Sequence, residues 1–148
     1  MTAGPFMTTA QQNAILACIA NGGSFTNTAT LYLGVCTGGV TAGGVITGEP
    51  TDPTGGYTRK SVAMNGTAVF GAAAAGAVTN SAAAINFAQS SAAWSTGASN
   101  LTTWFLATAQ TAGTVLYYGA LGTPMSVNAA NITMGFATSQ LTLSIANV

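Results

Sequence analysis

The alternation of apolar and polar positions along the chain predicts a protein built mainly of β-strands. In TATLYLGVC, Leu31, Leu33 and Val35 occupy every second position, which is the period of a strand with one buried face. Comparable patterns predict strands at 28–36, 57–64, 67–70, 83–88, 102–108, 114–120, 132–136 and 141–145. Turn-forming residues separate these segments at roughly the spacing expected of a sandwich or barrel.

One helix is predicted, near the N-terminus. Thr8 is a suitable N-cap residue, and Gln11 stands three positions later as a capping-box partner. The apolar residues that recur at helical spacing and form one stripe are Ala14, Ile15, Cys18 and Ile19. Asn21-Gly22-Gly23 is expected to end the helix, because glycine readily takes the left-handed conformation.

These elements predict an all-β fold, an antiparallel β-sandwich of the Ig-like or jelly-roll-like kind with a short N-terminal α-helix. One domain is expected over residues 1–148, with an arm and helix at 1–23 and the β-sandwich at 24–148. The glycine-rich segment 38–56 carries Pro50 and Pro53 and is expected to be a loop.

Charge is nearly absent from the chain and confined to one segment. Only 3% of the residues are charged, against roughly a quarter in an ordinary domain, and there is no histidine. The four charged residues, Glu49, Asp52, Arg59 and Lys60, all lie within 49–60. Most side-chain catalysis and metal binding needs groups that are missing here, so we expect no enzyme, no cofactor and no metal. Without a basic patch, neither nucleic acid nor anionic lipid is an expected partner.

Two further features bear on the class of protein. The most apolar stretch, 68–88, is rich in alanine and glycine and is interrupted by polar residues, so it is interpreted as strand, turn and strand rather than as a membrane span. No Lys or Arg precedes the apolar run 14–20, so no secretory signal is expected. Cys18 and Cys36 can in principle pair, but two buried thiols in a reducing cytoplasm are the favoured interpretation.

The charged segment allows three interpretations. The first is an ion pair within the chain between Glu49 and Arg59, holding the proline-containing loop to the following strand. The second is a pair between neighbouring subunits, and the third is a cation site built from Glu49, Asp52 and carbonyl oxygens. Arg59 and Lys60 are adjacent in a predicted strand and are expected to point to opposite faces.

Several segments resemble, in their order, a family of small tailed-phage virion proteins often labelled tail-fibre proteins. The most specific pieces are GGYTRKSV (55–62) and LYYGALGTPMSVN (116–128), and the resemblance spans roughly 13–146. It implies a structural virion component with a β-sandwich similar to domains that decorate or cement phage capsids. Members of the family commonly have an acidic residue upstream of the GGY-x-R segment, and Glu49, with Arg59, matches that pattern. They often have a second acidic residue after the Trp-side strand, where this chain has Ala107-Thr108.

The resulting functional prediction is a capsid decoration or cement protein on the exterior of the virion, assembled in the host cytoplasm. Its expected partners are the major capsid protein and further copies of itself, as a homotrimer, because a nearly uncharged surface suits burial against neighbours. The alternative is a tail or head fibre domain that binds a host surface glycan, and a secreted adhesive protein is a third class. Trp94, Asp52 and Lys60 are the residues expected to contact a partner or a glycan.

Overall fold

The centre of the molecule is a five-stranded antiparallel sheet. The computed structural model describes residues 6–22, 28–51, 54–64, 68–94 and 100–144. The strands of the sheet are β1 (Phe6–Met7), β2 (Thr30–Cys36), β5 (Lys60–Ala63), β8 (Leu101–Ala107) and β9 (Val115–Met125), in the spatial order β1-β9-β8-β2-β5. The all-β fold with one short helix predicted from the sequence is therefore confirmed.

Three short antiparallel ladders accompany the main sheet. They pair β3 (Gly39–Val40) with β4 (Ile46–Thr47), β6 (Ala77–Thr79) with β11 (Thr142–Ser144), and β7 (Ile85–Asn86) with β10 (Gly135–Phe136). A single turn of 3-10 helix, Thr54–Gly56, precedes β5. Among the described residues, the elements that cover the main sheet are thus separate two- and three-residue pairings and do not form one continuous sheet.

The main hydrophobic core lies between the sheet and the β6–β11 and β7–β10 ladders. Leu33 and Leu106 face each other across β2 and β8, and both are fully buried. The same cluster contains Ile85 of β7, Phe136 of β10 and Leu143 of β11. Burying apolar side chains from both layers is what holds the short ladders against the sheet, since two-residue strands have little stability of their own.

A second, smaller core lies on the other face of the sheet. It contains the buried residues Cys36, Phe105, Ala107 and Val115, with Val40 and Ile46 of the β3–β4 hairpin packed against them. Strands β2 and β8 are therefore covered on both faces at this end of the sheet. The hairpin lies within 38–56, so the expectation that this segment is only a loop was wrong.

The helix α1 spans Thr9–Asn21 and ends at Gly22, whose φ of 66° is left-handed, as predicted. Thr8 precedes the helix but makes no side-chain cap hydrogen bond, so the expected capping box is wrong. Instead its hydroxyl donates to the carbonyl of Val115 at 2.8 Å, which fixes the start of the helix to β9. Gln11 is the only helix residue that is buried, and the predicted apolar stripe is half-buried or exposed along its length.

Other strand predictions differ from the structure at their ends. Residues 68–70 form a bend and not a strand, and β9 extends five residues beyond the predicted end at 120. At 132–136 only Gly135–Phe136 pairs, and Ile145 lies outside the described residues. Very short strands pair through a few main-chain bonds and carry no side-chain period, which explains why alternation alone misplaced them.

Candidate functional site

The charged segment forms one compact arrangement, which we call the ion-pair site: Glu49, Tyr57, Arg59 and the carbonyl groups of Ala109 and Ala112. Glu49 follows β4, and Arg59 immediately precedes β5. The Arg59 Nε donates to Glu49 Oε1 at 2.7 Å, and Nη2 donates to Oε2 at 2.7 Å. This two-bond geometry matches the planar guanidinium to the carboxylate and is the strong form of the interaction.

Arg59 is also bound to the turn that connects β8 to β9. Its Nη1 donates to the carbonyl oxygens of Ala109, at 3.0 Å, and of Ala112, so four of its five N–H groups are used within the chain. The guanidinium carbon lies 5.0 Å from the centre of the Phe105 ring, in a cation–π contact. Only 6% of Arg59 is exposed, and the Glu49 hydrogen bond is the main reason that the pKa of Arg59 is raised.

Tyr57 connects the ion pair to the sheet. Its hydroxyl donates to Glu49 Oε1 at 3.0 Å and accepts from the backbone N–H of Val35 in β2 at 3.1 Å. Burial, followed by the negative charge of Glu49, raises the pKa of Tyr57 well above its ordinary value. Tyr57 is consequently a neutral donor that holds the carboxylate in place, and it is not a base.

Local sequence explains this placement. Tyr57 and Arg59 are two positions apart in the segment just before β5, and both side chains reach the Glu49 carboxylate. Gly55 and Gly56 both have positive φ, at 72° and 71°, and turn the chain into this segment. The indole Nε1 of Trp94 donates to the carbonyl of Gly55 at 2.9 Å, and this hydrogen bond fixes the turn.

A cleft of about 660 Å³ opens beside the ion-pair site. Apart from Glu49, Tyr57 and Arg59, it is lined by Ile46, Gly48, Pro50, Thr51, Thr58, Gln110, Thr111 and Ala112. A neighbouring cleft of about 490 Å³ shares Thr58, Arg59 and Gln110 with it and includes Lys60 and Asn86. The groups that reach these clefts are mostly hydroxyls and amides. The charged pair itself is already occupied by contacts within the chain.

The structure places the residues predicted for a site in different surroundings. Glu49 and Arg59 come together, as the first interpretation of the charged segment described. Arg59 is buried and Lys60 is exposed, while Asp52 lies outside the described residues.

Trp94, expected to contact a partner or a glycan, is placed in the core instead, with 6% of its surface exposed. It packs edge-on against Tyr57 and Phe87, with ring centres 5.2 and 5.6 Å away. Its flat faces are covered by other residues of the chain, because an indole N–H that finds a partner allows the whole ring to be buried.

Three parts of the site were missed by sequence reasoning. Tyr57 carried a usable signal, since it stands two positions before Arg59 in a predicted strand and shares its side. Phe105 and the carbonyls of Ala109 and Ala112 carried none, because they meet Arg59 only through the pairing of distant strands.

The arrangement is suited to holding three segments together. Both Glu49 oxygens accept hydrogen bonds, and the guanidinium is directed to carbonyls of the chain.

Other chemistry was sought in the remaining described residues. Burial raises the pKa of the Cys36 thiol, which keeps it protonated. Within the described ranges no group of three or more His, Cys, Asp or Glu side chains is arranged to hold a metal ion. In the same ranges, no helix has the length and apolar character needed to cross a membrane.

Comparison with known families identifies the family to which the chain belongs. The family model described as podophage GP4 fiber I protein gp80 matches residues 6–144, which is nearly the whole chain. The chain belongs to this family. A search of curated proteins gives no match. The predicted resemblance to phage proteins labelled as fibre proteins is thereby confirmed, and the chain is a structural protein of a phage particle.

Proposed function

We propose that the chain is a structural subunit of a fibre on a podophage virion. The observation that carries the proposal is the match of residues 6–144 to a family whose name denotes a podophage fibre protein. This favours the fibre alternative over the capsid decoration role that the sequence first suggested. In this proposal the protein lies in a fibre of the particle and not on the exterior of the capsid.

The ion-pair site fits a structural role. It fastens the segment after β4, the segment before β5 and the β8–β9 turn to one buried guanidinium. We propose no catalytic reaction, because the groups of the site are engaged with each other. The proposed partners are further copies of the chain and neighbouring virion proteins, met through surfaces that carry almost no charge.

Binding of a host glycan is a separate part of the fibre hypothesis. The buried position of Trp94 removes the aromatic residue on which that part first rested. Binding of purified protein to host cells, measured with and without excess host polysaccharide, tests it independently of the location in the particle.

The test of the proposed function is copy number and location in purified virions. Quantitative mass spectrometry against the major capsid protein is expected to give tens of copies or fewer. Gold-labelled antibody is expected to mark fibres and not the shell. Hundreds of copies spread over the head would contradict the proposal and restore the decoration role.

A further inference from the structure

The two clefts beside the ion-pair site lie side by side and form one groove, which we call the polar groove. The larger cleft, of about 660 Å³, and the smaller, of about 490 Å³, share Thr58, Arg59 and Gln110 in their linings. Arg59 is buried, whereas Thr58 and Gln110 are exposed. Each cleft alone has the volume of a small-ligand site. Two adjacent compartments of this size suit a ligand that is a chain of similar units.

Lys60 provides the uncompensated charge of this groove. It lines the smaller cleft and is exposed. Among the described residues the one salt bridge joins Arg59 to Glu49, so Lys60 has no carboxylate partner there. Because Glu49 neutralises Arg59, the field of the described charges in the smaller cleft is that of a single ammonium group. An anionic group is therefore the ligand that this compartment favours.

Uncharged polar groups surround Lys60. The amides of Asn86 and Gln110 and the hydroxyls of Thr58 and Ser61 line the smaller cleft, and all four residues are exposed. Amides and hydroxyls both donate and accept hydrogen bonds, as the hydroxyl groups of a sugar do. Within the described residues these four side chains have no hydrogen-bond partner. A sugar can therefore bind to them without breaking a contact of the described chain.

An aromatic ring borders the same compartment. Tyr32 of β2 lies opposite Ser61 of β5 and is half-buried at the smaller cleft. Apolar ring surface beside a few polar groups is the combination that small-ligand sites use. A sugar ring carries C–H groups on its faces and hydroxyl groups at its edge, so the tyrosine and the amides complement different parts of one sugar.

A peptide strand fits this place less well. The smaller cleft lies between β5, the edge strand of the main sheet, and β7. The Cα atoms of these two strands approach within 8 Å, whereas a strand inserted between them needs roughly 9–10 Å. A lysine on an edge strand is, in addition, a common means of preventing pairing with another chain. These features favour a polysaccharide over an extended peptide.

We propose that the polar groove binds an acidic polysaccharide of the host surface. Lys60 binds an anionic group of the polymer, a carboxylate or a phosphate, and Asn86 and Gln110 bind its hydroxyl groups. This inference rests on the proposed fibre function and deepens it by naming the site and the chemical class of the ligand.

The test is binding of the full-length protein to polysaccharide released from host cells and separated by anion exchange into an acidic and a neutral fraction. Biolayer interferometry measures the affinity for each. The wild type is expected to bind the acidic fraction about tenfold more tightly, the factor that one charged hydrogen bond contributes. Reducing the carboxyl groups of this fraction to alcohols distinguishes the two anions, since it removes the preference for a carboxylate and leaves that for a phosphate.

The variants separate the charge from the amides. Lys60→Gln is expected to weaken binding of the acidic fraction about tenfold and to leave the neutral fraction unchanged, whereas a merely structural role would affect both. Lys60→Arg keeps the charge and is expected to keep the preference. Gln110→Ala should weaken binding of both fractions. The matched control Gln89→Ala removes an exposed amide that lies in neither cleft and should change neither affinity.

Equal binding of the two fractions, binding of neither, or an unchanged preference in Lys60→Gln would overturn the proposal. So would binding that protease abolishes and periodate, which cleaves sugar diols, does not, because the partner would then be a protein. These measurements do not depend on where the chain lies in the virion. Failure here therefore leaves the fibre location standing, and a location on the shell would leave the binding result intact.

Discussion

At the scale of single residues, Arg59 is a buried charge whose neighbours are arranged to bind it. Its guanidinium is buried, and one carboxylate and two carbonyls compensate for the water it has lost. Removing a partner from such a charge costs more than the pair itself contributes, because the remaining charge stays buried without compensation. The ion-pair site is therefore more sensitive to substitution than an exposed salt bridge would be.

Glu49→Gln is expected to lower the free energy of unfolding by about 2 kcal/mol, since it leaves the Arg59 charge without its carboxylate. The value is placed below that of a fully buried pair because 22% of the Glu49 side chain is exposed. Urea denaturation followed by tryptophan fluorescence measures it.

The matched control is Lys60→Gln, which removes a neighbouring positive charge at an exposed position and is expected to change stability by less than about 0.5 kcal/mol. Arg59→Lys keeps the charge but loses the planar fork, and it is expected to be destabilising too. Equal effects for Glu49→Gln and Lys60→Gln would mean that the pair is not a stabilising contact.

Stability is expected to fall at alkaline pH. Burial raises the pKa of Cys36 above 9.0 and those of Tyr57 and Tyr117 above 10.0. The unfolded chain therefore loses these protons at lower pH than the folded one. The stability is fully present below pH 9 and declines above it, by up to about 1.4 kcal/mol per pH unit for each group. Urea midpoints between pH 7 and 11 measure the decline, and Tyr57→Phe should make it shallower above pH 10. An equally steep decline in that variant would exclude Tyr57 as a contributor.

Substitution of Gly34 is expected to destabilise the protein, because the Phe105 ring lies directly over this position. A Cβ at Gly34 would approach ring carbons to 2.2 Å, much closer than real side chains permit. Gly34→Ala should therefore cost about 1–3 kcal/mol through displacement of Phe105. Gly122→Ala in β9 is the matched control, since nothing lies within 4 Å of its Cβ position, and its unfolding midpoint should stay near the wild type. A Gly34→Ala variant as stable as this control would contradict the packing described.

At the scale of elements, side-chain hydrogen bonds to the main chain compensate for the shortness of the ladders. Asn80 follows β6 and is fully buried. Its amide donates to the carbonyls of Ala83 and Ala137, both at 3.1 Å, and accepts from the N–H of Leu141 at 2.8 Å. One side chain thus joins the segments that enter and leave the β6–β11 ladder.

Asn80→Ala is expected to destabilise the protein by about 2–3 kcal/mol, because it leaves the buried N–H of Leu141 and two part-buried carbonyls without this partner. Hydrogen exchange should increase first at the amides of β6 and β11, which Asn80 holds together. Gln89→Ala is the control, since that side chain is exposed and makes one bond of 3.3 Å. Unchanged exchange in the β6–β11 ladder would show that apolar packing alone maintains it.

The helix shows where an element can be predicted and its packing cannot. Its start after Thr8 and its end at Gly22 could be predicted from the residue types preferred at helix ends and from the apolar spacing, although Thr8 makes no cap hydrogen bond. The same spacing predicted that Ile19 faces the protein, whereas it is exposed in the single chain. A period in the sequence identifies a face to be buried but does not say whether the cover comes from the same chain or from another copy.

At the scale of the whole molecule, the alternation of apolar and polar residues predicted the central strands of the main sheet and missed the short strands around them. Strands β2 and β8 were predicted to within two residues because each has seven residues with a clear period. Strand β1 and the β3–β4 hairpin were missed, since two residues cannot display a period of two. Their positions depend on contacts with distant strands, such as Phe6 with Tyr118.

The candidate site, too, could be predicted only in part. The pairing of Glu49 with Arg59 could be predicted because the chain has few charges and opposite charges attract. The involvement of the β8–β9 turn could not, because carbonyl groups have no signature in a sequence. Trp94 was assigned to the surface since its neighbours resemble a loop, whereas the Gly55 carbonyl supplied the partner that allowed its burial.

The position of Arg59 and Lys60 has a practical consequence for proteolysis. Trypsin cuts after lysine and arginine, and this chain has only these two, side by side. Arg59 is buried, and Lys60 pairs with Leu33 in the main sheet, so the protease reaches this point only when β5 separates from β2. Digestion of the native protein therefore reports one opening event at the edge of the sheet, read as the appearance of two fragments divided at that position.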